Sequence, residues 1–210
     1  MGCSHSASGE RGSSKQKTIN RAAPCDNYPI PKTEDLFATL EGGEKFSKLD
    51  LSHAYQQLKL DKPTQELLTV NTHRGLYQPT RLQFGIHSAT GIFQREIEKR
   101  VRGIPYCKVR VDDILVSGRN DQEHLAHLET VLKRLSESGL RLRKEKCQFF
   151  MPEVTYLGFR VNQDGAKPVP EKVTAISAAP SPKNVAELRS YLGMLQYYIQ
   201  SPFAKPVFSH

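Results

Sequence analysis

Two adjacent carboxylates sit inside an otherwise apolar run, Lys108-Val109-Arg110-Val111-Asp112-Asp113-Ile114-Leu115-Val116-Ser117-Gly118. β-Branched residues stand on both sides of the pair and Ser-Gly closes the run, a pattern that predicts strand, tight turn, strand, with the aspartates at or beside the turn. Apolar residues at 109, 111, 114, 115 and 116 predict a mostly buried hairpin, whose tip then carries two negative charges. Neighbouring carboxylates repel and are costly to desolvate unpaired. A divalent cation held by carboxylate oxygens resolves that conflict. The alternative is an acidic turn in solvent, since Asp is a common turn residue. A third carboxylate on a comparable strand decides between the two.

Phe46-Ser47-Lys48-Leu49-Asp50-Leu51 supplies it, a second short, partly alternating run ending in an aspartate. Three aspartates on two adjacent strands can hold two Mg²⁺ ions about 3.5–4 Å apart, the geometry that clamps attacking and leaving oxygens in phosphoryl transfer. With the Tyr28-Pro-Ile-Pro segment, Leu82-Gln83-Phe84-Gly85 and Tyr156-Leu157-Gly158 in matching order, the sequence resembles the reverse transcriptase of gypsy-type long-terminal-repeat retrotransposons. The resemblance runs from about Thr18 to Tyr198.

The fold this resemblance implies is α+β, a right-hand polymerase palm in which an antiparallel sheet is backed by helices near 88–101 and 121–138. Partial fingers and a truncated thumb flank it. The implied function is RNA-directed DNA polymerase. Asp50, Asp112 and Asp113 hold two Mg²⁺ ions, with Mn²⁺ able to serve, while a primer 3′-hydroxyl attacks the α-phosphate of a deoxynucleoside triphosphate on an RNA or DNA template-primer. In the family the aromatic at Tyr55 lies under the incoming sugar and rejects a 2′-hydroxyl, and Phe84-Gly85 brings the backbone close to the base. Lys146 matches a lysine thought to approach the leaving pyrophosphate. Tyr156, Leu157 and Gly158 match the primer grip. Arg74 and Arg81 are candidate phosphate contacts, although lone arginines are more often solvated surface.

Local signals divide the rest. Thr33 opens a helix with Leu36, Phe37 and Leu40 on its apolar side and Gly42-Gly43 at its end. Leu67–Tyr77 reads as strand, glycine turn, strand, and a helix ending near Val101 packs Phe93, Ile97 and Val101. Leu125, Leu128, Leu132 and Leu135 form the stripe of a helix over Asp121–Gly139. His124 and His127 lie three apart on it, a spacing open to a metal, but with no third ligand nearby surface histidines are the favoured reading. Val154–Val161 reads as a hairpin with its turn at Asn162–Gly165. Glu171–Ala179 is a short helix between prolines, and Asn184 with Glu187 is a capping-box-like start for another.

The resulting division is a Ser/Gly-rich tail at 1–17, fingers and palm at 18–165, the start of a thumb at 166–200 and an unrelated tail at 201–210. Gly2 and Ser6 match the myristoylation pattern with Cys3 open to palmitoylation, which would give a weak membrane tether. So short a pattern is met often by chance, and unmodified chain is the favoured expectation. A net charge of +8 favours a polyanionic partner, nucleic acid ahead of membrane. The cysteines at 3, 25, 107 and 147 lack paired short spacing, so they read as reduced thiols of a cytoplasmic or nuclear protein. No apolar run is long enough to span a membrane.

The sequence also departs from the family. Arg110 replaces the aromatic two residues before the Asp pair. By strand alternation it lies on the same face as Asp112, roughly 6–7 Å along the chain, where it pairs with Asp112 or Asp50. Gln83 and Thr90 stand where proline is usual, which loosens the loop by about 0.4–1 kcal/mol each. The chain reads as a polyprotein fragment without the upstream fingers and with a shortened thumb, to which an unknown partner chain could supply the missing parts. Two functions follow: an impaired reverse transcriptase, or a catalytically dead retroelement-derived protein that still binds nucleic acid.

Overall fold

The computed structural model describes residues 28–199. The tails at 1–17 and 201–210, with Gly2 and Cys3, lie outside them.

The hairpin predicted around the Asp pair is the spine of the fold. Strands β4 (Cys107–Arg110) and β5 (Asp113–Gly118) pair antiparallel, so that only Val111 and Asp112 form the turn. Strand β1 (Lys45–Asp50) pairs antiparallel with β5 along its whole length, and β6 (Gln148–Met151) adds to the far side of β1. The sheet order is therefore β4-β5-β1-β6.

Alternation along these strands separates two cores. Leu49, Val109, Ile114 and Val116 turn to one face and pack on α3 (Ala89–Val101) and α4 (Asp121–Glu137) through Phe93, Ile97, Leu128, Val131 and Leu135. Phe46 and Leu115 turn to the other, against α1 (Thr33–Leu40) and a separate three-stranded meander, β7 (Glu153–Tyr156), β8 (Phe159–Asn162) and β9 (Gly165–Pro168). Each fully buried Phe, Leu or Ile here contributes roughly 1.5–3 kcal/mol of transfer free energy. This is the α+β palm that the resemblance implied, a sheet backed by helices. At the end of β5 the backbone of α4 comes so close that a Cβ on Gly118 would lie 2.4 Å from the His124 nitrogen, which is why glycine closes the run.

Three local expectations change. Residues 62–67 form a short helix, α2 (Lys62–Leu67), with Asp61 capping Thr64 N–H and Pro63 in its first turn. Leu67 and Leu68 therefore end a helix, and the predicted hairpin shrinks to β2 (Val70–Thr72) and β3 (Gly75–Tyr77). The buried stripe of α4 is His124, Leu128, Val131 and Leu135, while Leu125 is 55% exposed. The leucine spacing and the buried stripe differ by one residue at half their positions, and the sheet chose the histidine. Residues 154–161 are themselves a hairpin turning at Leu157-Gly158, both with positive φ, and the expected turn after Asn162 is a second one. Helix α5 (Pro170–Ser177) and α6 (Val185–Ile199) follow as predicted, α6 capped by Asn184 accepting from Glu187 N–H. Its Val185, Leu188 and Leu192 remain exposed.

Candidate active site

The three aspartates converge where β1 ends and β5 begins. Asp50 and Asp113 are direct cross-strand partners, and Asp112 is the second residue of the hairpin turn. Asp112 also fixes β1, its carbonyl accepting from Leu51 N–H at 3.0 Å. On its other side the Asp50 backbone is held by the 141–147 segment: its carbonyl accepts from Arg143 N–H at 2.8 Å, and its N–H points at Cys147 Sγ at 3.4 Å. Lys146 ends a 3₁₀ turn in that same segment.

The electrostatics carry the mark of three carboxylates in one place. Burial, then Asp113, then Asp50, push the Asp112 carboxyl above its ordinary value, against a pull downward from Lys146. Burial also raises Asp113, with Lys48 opposing and Asp50 adding to the rise. Hard oxygen donors that repel one another suit a divalent cation. Among the described residues, however, no three such side chains already stand close enough to hold a metal ion. Asp113 Oδ2 instead meets Lys48 Nζ at 3.4 Å, and Lys48 also lies 5.7 Å from the centre of the Tyr156 ring. The donor set fits a cation, with Asp113 having to turn from Lys48.

The turn itself is strained. Val111 has φ +53°, and a hairpin turn that needs a positive φ at its first position normally takes glycine there. A β-branched residue in that region costs on the order of 1–3 kcal/mol. Gln94, wholly buried on α3, holds it: Gln94 Oε1 accepts from Val111 N–H at 2.7 Å, and Gln94 Nε2 donates to the Val109 carbonyl at 2.9 Å. Sequence reading passed over Gln94. A glutamine one turn before the apolar positions of a buried helix face was the signal that could have found it.

Arg110 is not where alternation put it. The turn breaks the strand before Asp112, so the register sets Arg110 opposite Asp113. Among the described residues it makes no ion pair with any of the three aspartates; it lines a recess with Ile30, Pro31, Lys32, Thr33 and Glu34.

The other candidates divide into near and far. Tyr55, in a 3₁₀ turn after β1, stacks edge-on against Phe84 at 5.0 Å and Phe93 at 5.3 Å. Its hydroxyl meets Thr90 Oγ1 at 3.0 Å, a bond that the proline usual at this position could not make. Gly85 has φ +87°, beside the exposed Phe84. Tyr156 is fully buried under Lys48, its hydroxyl without a hydrogen-bond partner among the described residues, and Leu157-Gly158 form the turn beyond it. Arg81 donates to the Gln57 carbonyl at 2.9 Å, while Arg74 sits exposed on the β2–β3 turn; neither is brought to the aspartates. The surface-histidine reading fails for His124, which is fully buried. Its Nδ1 lies 2.9 Å from the Lys45 carbonyl and so carries the proton, leaving Nε2 to accept from Ser47 Oγ–H at 2.8 Å. His127 contacts the Ser117 carbonyl and stacks on Tyr106. No described helix is long and apolar enough to cross a membrane.

Residues 12–161 match the family described as "Reverse transcriptase (RNA-dependent DNA polymerase)". The chain is 38% identical over 184 residues to the "Retrovirus-related Pol polyprotein from transposon gypsy" of Drosophila melanogaster. It is 36% identical to the polyprotein from transposon opus of the same species, and each alignment covers 87% of this chain and 18% of the polyprotein. Among solved structures it is similar to a foamy viral protease-reverse transcriptase in complex with double-stranded DNA, with a TM-score of 0.78, 27% identity, and coverage of 87% of this chain and 32% of that one. The same enzyme in complex with an RNA/DNA hybrid matches with a TM-score of 0.72 and 28% identity, over 86% of this chain and 25% of that one.

Proposed function

Since the chain belongs to the reverse transcriptase (RNA-dependent DNA polymerase) family, we propose that it adds deoxynucleotides to a primer 3′-hydroxyl on an RNA or DNA template. Reverse transcriptases of this family use divalent metal ions; here Asp50, Asp112 and Asp113 would hold Mg²⁺, or Mn²⁺. Bound there, two such ions neutralise phosphate charge and favour the attacking and leaving oxygens. The observation that carries the reading is the pairing of Asp50 with Asp113 beside a turn that presents Asp112.

The chain's own groups have defined tasks in this account. Asp112 and Asp113 must be ionised, which burial and then the neighbouring carboxylates oppose until positive charge arrives. Lys146 adds positive charge beside Asp112, which supports a role in stabilising the departing pyrophosphate. The Tyr55 ring, braced by Phe84, Phe93 and Thr90, forms the floor for a deoxyribose. Leu157-Gly158 holds the primer end. Fingers and palm occupy 18–165 and the thumb begins in 166–200. Incorporation of labelled deoxynucleotide on a primed RNA, lost when Asp112 and Asp113 become Asn, tests the reading.

One observation favours a second reading. The Lys48–Asp113 ion pair places a cation where the first reading needs a free carboxylate. Under it the chain holds template through its basic surface without forming bonds. Both readings require affinity that falls as log[salt] rises, and a flat binding isotherm removes both.

A further inference from the structure

The turn that carries Asp112 and Asp113 is braced from a distance. Gln94 uses every hydrogen-bonding group of its amide: Oε1 for Val111 N–H, one Nε2 proton for the Val109 carbonyl, the other for Glu98 Oε1 at 2.6 Å. Glu98 lies one turn further along α3, and its second oxygen, Oε2, accepts from the hydroxyl of Tyr28. Tyr28 belongs to the Tyr-Pro-Ile-Pro segment, where Pro29 restricts it to extended backbone, and so it is a stiff anchor.

We propose that Tyr28 and Glu98 are positioning residues for the reacting carboxylates, holding the Gln94 amide in the one orientation that supports the strained Val111 turn. An amide with one donor released can rotate about its last torsion, which is broad. Glu98 strengthens the block that Val111 N–H and the Val109 carbonyl already set, since a flipped amide would also turn its oxygen against the Glu98 carboxylate. The relay runs Tyr28 hydroxyl, Glu98 carboxylate, Gln94 amide, Val109–Val111 backbone, and from there to Asp112. It joins a segment upstream of the first helix to the tip of the hairpin, over a sequence separation that local propensity cannot supply. The proposal deepens the catalytic reading above and rests on it for its purpose, while the relay's own geometry stands apart from it.

The test follows the Val111 amide by hydrogen exchange in the full chain, for wild type, Glu98→Ala, Glu98→Gln and Tyr28→Phe. Glu98→Ala speeds Val111 exchange by about tenfold while the amides of α4 stay protected. Glu98→Gln, which keeps an acceptor for Gln94 and a polar partner for Tyr28, restores most of the protection. Tyr28→Phe, which deletes one oxygen from a part-buried ring, gives an intermediate increase and covers the case in which Glu98→Ala fails to fold. Val111 exchange unchanged in both Tyr28→Phe and Glu98→Ala would overturn the relay. If exchange changes as expected but wild-type protein incorporates no nucleotide, the relay stands and the catalytic reading fails. If nucleotide is incorporated and Val111 exchange is flat, the reverse holds.

Discussion

Asp50 and Asp113 face each other across the β1–β5 ladder, the last residue of one strand against the first of the other. Directly opposed like charges destabilise an antiparallel pair. The chain keeps them together with Asp112, and the only compensation within ion-pair distance among the described residues is Lys48 on Asp113. A site that the fold tolerates at a loss is a site where sequence and stability disagree, and such disagreements concentrate at functional positions.

Removing one carboxylate therefore relieves the protein. Asp112 is raised above the ordinary 3.8 by burial, by Asp113 and by Asp50. A raised carboxyl binds protons more tightly in the native state than in the unfolded one, so its contribution is fully present below the unfolded value and is lost as pH rises through the native value. Without divalent metal, Asp112→Asn should melt above wild type at pH 7, and the gap should close below about pH 4. Equal melting at both pH values would contradict the mutual repulsion.

His124 has the opposite sign. Burial holds it below its ordinary 6.5, and both ring nitrogens are satisfied only when it is neutral. Its support for the fold is complete above pH 6.5 and falls as the pH drops through the native value, because the unfolded chain takes up the proton first. His124→Gln should cost about 1–3 kcal/mol at pH 7.5 and should remove part of the acid-side slope of stability below pH 6.5. Denaturant titrations at several pH values check both.

Tyr156 buries a hydroxyl that no described residue satisfies. Leaving a buried donor unpaired costs roughly 1–3 kcal/mol, so Tyr156→Phe should stabilise the protein by about 1 kcal/mol. The apolar packing of the ring with Phe46, Leu115 and Phe159 is unchanged. A loss of stability in a thermal melt would mean that the hydroxyl has a partner.

The sequence announced the hairpin, the partner strand and the α4 boundaries because each rests on local chemistry: β-branched runs, a carboxylate pair, Asn120 before an acidic first turn and Gly139 after the last. It could not announce which face of α4 is buried. Leucines at 125 and 132 compete with His124 and Val131 for the same stripe, and the choice depends on Ser47 and the Lys45 carbonyl of a strand 77–79 residues away. The Arg110 expectation failed for a related reason. Alternation is a rule within a strand, and the two-residue turn at Val111-Asp112 ends the strand first. Gln94 stands with Ile97 and Val101 on the buried face of α3, which marks it as a buried polar group, but nothing local names its partners, which lie in a turn 15–17 residues away.

Primer extension on an oligo(dT)-primed RNA template with Mg²⁺ or Mn²⁺ tests the central claim most directly, with wild type beside Asp112→Asn/Asp113→Asn and Arg110→Tyr. The account predicts weak extension by wild type, none by the double variant, and more by Arg110→Tyr, which puts an aromatic ring in place of the guanidinium on the strand beside the Asp pair. No extension by either wild type or Arg110→Tyr, with template binding intact, would contradict it and leave a protein that binds nucleic acid without copying it.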